Sequence, residues 1–286
     1  MILMTNAIEV RGLTKSYGDF ALRDLTFSLP SGSILGLVGE NGAGKSTTIG
    51  LLLGAIDADA GSAAVLGTDV RDPAYPQTRQ DLGVVLDEAT FPEIMTARQV
   101  GRLMALTYRG WQPGTYADLL RRFDLPEQKP FKDFSRGMKM KLALAVALSH
   151  EAKLLLLDEA TGGLDPMVRE EILDLLLDFA RDEDHSVLLS SHIVSDLEKV
   201  CDYIAFLHKG RLLLFEEKDR LLDDYAVVSL SRADRDVLAP DAVLGVREEP
   251  YSLRALVRRD AVPAGFTAAR PDLEEIILFL ARRDRT

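Results

Sequence analysis

The sequence predicts an α/β protein: a mostly parallel sheet with helices on both faces, an antiparallel strand-rich edge, a helical insert and a small C-terminal α+β domain. Three observations support this. The run "SILGLVG" (Ser33 to Gly39) and the four leucines of "KLLLLDE" (Lys153 to Glu159) are apolar, as strands buried on both faces must be, and "SVLLSSH" (Ser186 to His192) reads as a further strand. Helix-patterned segments, "GKSTTIGLLLGAI", "PMVREEILDLLLDFARD" and "SDLEKVC", lie between such strands, and that alternation indicates a covered parallel sheet. Between about residues 90 and 150 the texture becomes helical throughout.

At the start of the chain, "AIEVRGLTKSYGDFALRDLTFSLP" alternates short β-type runs with turn residues and reads as strands preceding the first apolar run. "GSAAVLGTDV" returns to strand and turn, and "DLGVVLDE" (Asp81 to Glu88) is a further apolar run that ends in acids. In the insert, "TARQVGRLMALTYRGW", "TYADLLRRFDL" and "SRGMKMKLALAVALSH" carry apolar residues at helical spacing, and "QPG" breaks the first from the second. "YIAFLHKGRLLLF" (Tyr203 to Phe215) is a last strand-like run, succeeded by an amphipathic helix leading out of the main domain. Residues 1–222 form the main domain on this reading. Residues 223–286 form the accessory one, with strand-like "AVVSL", a hairpin through "AVLGVREEPYSLRALVRR" and the closing helix "PDLEEIILFLARR".

Composition narrows the function. Apolar residues at 47% and charged residues at 28% over 286 positions suit a globular chain with a sizeable core. A net charge of −11 argues against nucleic acid as the partner, because phosphate contacts need clustered Lys and Arg. The single cysteine, Cys201, excludes an internal disulfide and points to a reducing, cytoplasmic compartment. No stretch reaches the roughly 18 consecutive apolar residues of a membrane span, and "MILMTNAIEVRG" shows no export signal. If the chain works at a membrane, another subunit supplies the spans.

The chemistry begins at "GENGAGKS", Gly39 to Ser46, which fits G-x-x-x-x-G-K-[ST] between a strand and a helix. In such a loop the backbone N–H groups wrap phosphates and the helix adds the positive end of its dipole. Lys45 reaches the β- and γ-phosphates, and Ser46 offers a hydroxyl to Mg²⁺. That loop explains why four leucines run into two acids. Asp158 supplies the second strand-end carboxylate that the magnesium ion requires, directly or through water. Glu159, one residue on, faces the γ-phosphate as general base or water-orienting group.

Taken together, "GENGAGKSTT", "LLLLDEATGGLDP" and "SSH", in this order and spacing, closely resemble the nucleotide-binding subunits of ATP-binding cassette (ABC) transporters. The resemblance covers about residues 7–220. It implies a phosphate-loop ATPase core that binds ATP with Mg²⁺ through Gly39, Glu40, Asn41, Gly42, Ala43, Gly44, Lys45, Ser46 and Thr47, and hydrolyses it to ADP and phosphate. Tyr17, in "KSYG", matches the aromatic that stacks on adenine, although a strand tyrosine alone also suits packing. His192 matches the switch histidine on the γ-phosphate, and Asp165 in "GGLDP" matches the loop that crosses the dimer interface.

Two places depart from the family's pattern. Its signature is usually Leu-Ser-Gly-Gly-Gln; "FSRGMK" (Phe134 to Lys139) keeps Ser135 and Gly137 but has Arg136 and Met138 at the other two positions. The resemblance implies that Ser135 and Gly137 contact the γ-phosphate held by an opposing subunit; Ser135 also suits an N-cap. Asp87, to within one residue, stands where the family's glutamine touches Mg²⁺ and senses the transport subunit, leaving open a metal role or a coupling role. The resemblance thus implies an ATPase subunit peripheral on the inner face of the cell membrane, acting with an integral membrane permease and a second copy of itself or a paralogue. The "FSRGMK" form, Asp87 and the short C-terminal domain look most like exporters of drugs, peptides or lipids. An importer, or a soluble cassette ATPase acting on nucleic acid or ribosomes, is the alternative.

Overall fold

The computed structural model describes residues 6–87, 91–231, 234, 237–239 and 242–283. The chain enters as an antiparallel hairpin, β1 (Asn6–Tyr17) and β2 (Phe20–Pro30), closed by a two-residue turn between Tyr17 and Phe20. β3 (Ile34–Val38) comes next, buried at all five positions, and leads through the glycine loop into α1 (Lys45–Leu52). β4 (Ala60–Val65) and β5 (Thr68–Asp69) then return to the first hairpin, giving an antiparallel sheet in the order β2-β1-β4-β5. After a short turn of helix, α2 (Tyr75–Thr78), β6 (Leu82–Val85) enters the central sheet.

Three helices make the insert: α3 (Ala97–Thr107), α4 (Pro113–Arg122) and α5 (Arg136–Ala147). Each start is written in local chemistry. Thr96 and Gln99 form a reciprocal capping box on α3, Pro113 occupies the first turn of α4, and the Ser135 hydroxyl accepts from the Met138 N–H to cap α5. Among the described residues α3 and α4 bury one stripe each, whereas α5 is buried along most of its length because it packs between the insert and β6.

Strand and helix then alternate through β7 (Leu154–Asp158), α6 (Pro166–Phe179), β8 (Ser186–Ser191), α7 (Val194–Val200) and β9 (Tyr203–His208). β10 (Arg211–Glu217) is antiparallel to β9, completing a six-stranded sheet in the order β10-β9-β3-β8-β7-β6. The run Tyr203 to Phe215 is therefore two strands, not one. Lys209 and Gly210 both take positive φ, 47° and 77°, in a tight turn of the kind that suits strand twist. Leu154, Leu155, Leu156 and Leu157 are fully buried, and each contributes about 1.5–3 kcal/mol through that burial. Those leucines hold the acids that come after them at the rim of the sheet.

Parallel register decides what meets there. Val38 pairs with Ser191 across β3 and β8, and Asp158 pairs with Ser190 across β7 and β8. The C-terminal ends of three strands therefore coincide, and the crevice beyond such ends is where open α/β sheets bind ligands.

Past α8 (Lys218–Asp224) the chain builds a separate antiparallel sheet. It comprises β11 (Tyr225–Leu230), β12 (Val243–Glu248), β13 (Leu253–Arg258) and β14 (Ala268–Ala269), in the order β12-β13-β11-β14. α9 (Leu273–Arg283) closes it, burying Leu273, Ile276 and Phe279 in the apolar cluster that continues into the main sheet. The Leu273 N–H donates to Glu198 of α7, 3.1 Å away, so the last helix is tied to the element just past His192.

Candidate nucleotide-binding and hydrolysis site

The loop after β3 turns on glycines whose backbone conformation would strain other residues. Gly42 and Gly44 have φ of 81° and 113°, and a Cβ on Gly44 would lie 2.7 Å from Leu22 Cδ1 and 3.1 Å from the Phe20 ring. With these residues in left-handed conformations the backbone curls into a concavity of N–H groups suited to an anion. The cleft so formed has a volume of about 360 Å³, with Asn41, Gly42, Gly44, Lys45, Ser46 and Thr47 along one side and Asp87 and Glu159 along the other. Phe20 closes an end. A hollow of about 530 Å³ beside Asp223, Arg258 and Asp260 mixes both charges but has no such loop, so the smaller cleft is the better phosphate site.

Lys45 is only 5% exposed, and its Nζ donates to the carbonyls of Gly39 at 2.6 Å and Glu40 at 3.3 Å. The same Nζ lies 2.9 Å from Glu159 Oε1, an ion pair whose angles leave Oε1 without a formed hydrogen bond. Glu159 Oε2 sits 2.6 Å from His192 Nδ1. One carboxylate thus bridges the phosphate-loop lysine and the histidine beyond β8. Its backbone is strained: Glu159 has φ of 51°, a conformation that costs a non-glycine residue of order 1 kcal/mol and that clusters at functional sites.

Asp158 is buried at the end of β7, where Ser190 Oγ donates to its Oδ1 at 2.5 Å. Ser190 Oγ also accepts the Glu159 N–H at 3.1 Å. Among the described residues no group of three or more His, Cys, Asp or Glu gathers to hold a metal unaided. Magnesium is usually bound by one or two carboxylates together with substrate phosphates and water. Ser46 and Asp87 line the cleft with hard oxygens of the kind such an ion takes, whereas Asp158 lies at the end of β7 outside that lining, bound to Ser190.

Several expected residues do not line this cleft. Gly39, Glu40 and Ala43 support the loop from behind, the first two through their carbonyls and Ala43 through its N–H to Glu40 O. Tyr17 is exposed at the end of β1, with Lys15 Nζ 5.6 Å from its ring centre, while Phe20 rather than Tyr17 touches the cleft. Ser135 and Gly137 also lie outside the cleft of their own chain, at the start of α5. Asp165 accepts the Val168 N–H and caps α6. Glu88, the neighbouring candidate for the glutamine position, lies outside the described residues.

Asp87 lines the cleft, and Arg136 Nη2 reaches its Oδ1 at 2.9 Å. Phe20, Ser190 and this pairing of Arg136 are features to which the motifs did not point. "YGDF" places two aromatics three apart, a signal for Phe20; Ser190 becomes visible only through strand register.

Fold and cleft together define a phosphate-loop ATPase. Residues 22–162 match the family model described as "ABC transporter". The chain is 30% identical to the ABC transporter ATP-binding protein YtrB of Bacillus subtilis over 85% of this chain and 80% of that protein. Against the lantibiotic transport ATP-binding protein SrtF of Streptococcus pyogenes, identity is 33%, covering 74% of this chain and 91% of the relative. The Nod factor export ATP-binding protein I of Sinorhizobium fredii is 36% identical, covering 76% and 65%. A solved structure of the ATP-binding subunit of an ABC transporter superposes with a TM-score of 0.67 at 30% identity, covering 76% of this chain and 92% of that one. The chain belongs to the ABC transporter family, as an ATP-binding subunit whose ATPase activity is coupled to transport.

Proposed function

We propose that this chain hydrolyses Mg²⁺-ATP in a head-to-tail dimer, with itself or a paralogue, to power export of a drug, peptide or lipid through a separate permease. The observation that carries the reading is the division of parts. Lys45 and Glu159 line one cleft, where His192 joins them through Glu159, while Ser135 and Gly137 of the same chain do not line it. A site made from the first set of one copy and the second set of another explains both positions.

Within that site each residue has a task. The loop amides from Gly39 to Thr47 and Lys45 hold the phosphates, and Ser46 and Asp158 present oxygens to the metal. Glu159 takes a proton from, or orients, the attacking water, and His192 fixes the Glu159 carboxylate. Asp165 belongs to the dimer face, and Phe20 or Tyr17 supports the adenine end.

Export is favoured by the Nod factor and lantibiotic relatives, whose names give export and lantibiotic transport. No described helix is long and apolar enough to cross a membrane. The exposed side chains Ile94, Leu103 and Leu106 of the insert suit docking to that permease at the inner face of the membrane. Residues 223–286 are an accessory domain on this reading.

Affinity capture of the full chain from detergent-solubilised membranes tests the assignment. The expected result is co-purification of a multi-span protein with two ATPase chains. Recovery of ribosomes or nucleic acid instead would overturn it. In inside-out vesicles carrying the captured complex, ATP should drive labelled amphipathic peptide or lipid inward; ATP-driven movement outward would make the complex an importer.

A further inference from the structure

Two of the residues at which this chain departs from the family's usual pattern, Arg136 and Asp87, meet each other. Arg136, first residue of α5, gives Nη2 to Asp87 Oδ1 at 2.9 Å, and both side chains are half exposed, at 58% and 50%. The Arg136 guanidinium also covers Gly163, where an added Cβ would lie 2.8 Å from Nη1. Gly163 has φ of 67° and immediately precedes Leu164, which packs near Gly137. Arg136 therefore joins three segments: the end of β6 that borders the cleft, the start of α5 beside Ser135, and the loop leading to Asp165.

We infer that Arg136 is a phosphate ligand acting in trans, stored on Asp87 until the dimer forms. This role rests on the proposed head-to-tail dimer. The stored state is a single-oxygen contact open to solvent, and such pairs hold weakly. A guanidinium has five donors in a planar fork, and phosphate oxygens engage two of them at once with more charge than one carboxylate offers. Beside Ser135, on the face that meets the partner's nucleotide, the phosphates outcompete Asp87. The exchange also links the two sites. Asp87 borders its own chain's cleft, so Mg²⁺-ATP arriving there gives that acid a second cation to choose. Filling one cleft then loosens the arginine that completes the other.

The test uses the full chain carrying Glu159→Gln, with the mass of the species read by light scattering across an ATP titration in Mg²⁺. Arg136→Gln should leave ATP binding to the monomer unchanged and raise the ATP concentration for half-maximal dimer by about tenfold, because one charge-assisted phosphate contact is lost. Arg136→Lys keeps the charge without the fork and should fall between. Asp87→Asn should lower the midpoint by up to about fivefold when Arg136 is present, since only a weak exposed pair is released. In the Arg136→Gln background, Asp87→Asn should alter the midpoint no more than it alters monomer affinity. A dimer midpoint for Arg136→Gln equal to or below the parent's, with folding intact by circular dichroism, overturns the inference while leaving the dimer itself standing. Failure of the parent Glu159→Gln protein to dimerise with ATP overturns the shared-site reading, and this inference with it.

Discussion

Lys45 Nζ and Glu159 Oε1 stand 2.9 Å apart, with both side chains almost withdrawn from solvent. On the proposed roles, the lysine that receives phosphate is occupied by the carboxylate that acts on water. On that assignment ATP takes Lys45 from Glu159 and leaves Glu159 held by His192. Nucleotide arrival and positioning of the base are one event in this geometry.

Glu159→Gln keeps the shape of the side chain but removes the charge that competes for Lys45. ATP should bind at least as tightly as to the parent, while turnover falls by two or more powers of ten, roughly the contribution of a positioned general base. Single-turnover hydrolysis and equilibrium binding on the same preparation check both halves. Parent-like hydrolysis would remove Glu159 from its role.

Lys45→Ala should abolish or strongly weaken ATP binding, and it also leaves Glu159 without its cation. A nearly buried carboxylate stripped of a partner destabilises the nucleotide-free protein by about 1–3 kcal/mol. Adding Glu159→Gln removes that unpaired charge, so the double variant should recover most of the lost stability in urea melts without recovering ATP binding. Additive losses would mean that the pair contributes nothing in the folded state.

Much of this arrangement is legible in the sequence, and the parts that are not have physical reasons. The strands from Ile34 to Val38 and from Leu154 to Asp158 announce themselves because burial on both faces permits only apolar residues. The glycine loop and the acids at the strand end are local patterns. Ser190 is different: it looks like any strand serine until the register sets it opposite Asp158. The Asp87–Arg136 pair spans 49 positions of sequence and depends on how the insert folds back, which no local pattern records. Tyr17 and Phe20 flank a two-residue turn, and their placement against the cleft depends on how that turn packs over Gly44.

Ser190→Ala removes the hydroxyl that donates to Asp158 and accepts from the Glu159 N–H. The fold should lose about 1–3 kcal/mol, the cost of leaving the buried Asp158 oxygen without its donor, since the Glu159 N–H keeps the Ser190 carbonyl. Asp158, no longer fixed, should hold the metal less well, so the Mg²⁺ concentration for half-maximal ATPase activity rises several-fold while metal-free nucleotide binding is unchanged. Ser190→Thr, which keeps the hydroxyl, should restore the parental magnesium midpoint. An unaltered midpoint in Ser190→Ala would show that Asp158 needs no such support.

His150 lies just past α5 and joins the insert to the sheet. Its ring is buried, stacked on Tyr108 at 3.8 Å, with Nε2 2.9 Å from the Leu82 carbonyl and Nδ1 3.2 Å from that of Val146. Burial is the largest influence and holds its pKa below the ordinary 6.5, opposed by those two carbonyls and by the charge of Asp81. Below about pH 6.5 the unfolded chain takes up a proton at this histidine that the folded chain refuses, so the unfolded state gains. Stability from neutral His150 is complete above pH 6.5 and is lost as pH falls from there towards the lower folded value. His150→Phe keeps an aromatic ring against Tyr108 and removes the titration. Its melting temperature starts lower, because the one N–H of the neutral ring no longer donates to a backbone carbonyl, yet it should fall less steeply than the parent's between pH 7 and about pH 5.5. Carboxylates shared by both proteins cancel in that comparison. A parent that instead gains stability relative to the variant on acidification would mean that the two carbonyls, and not burial, set the protonation of this ring.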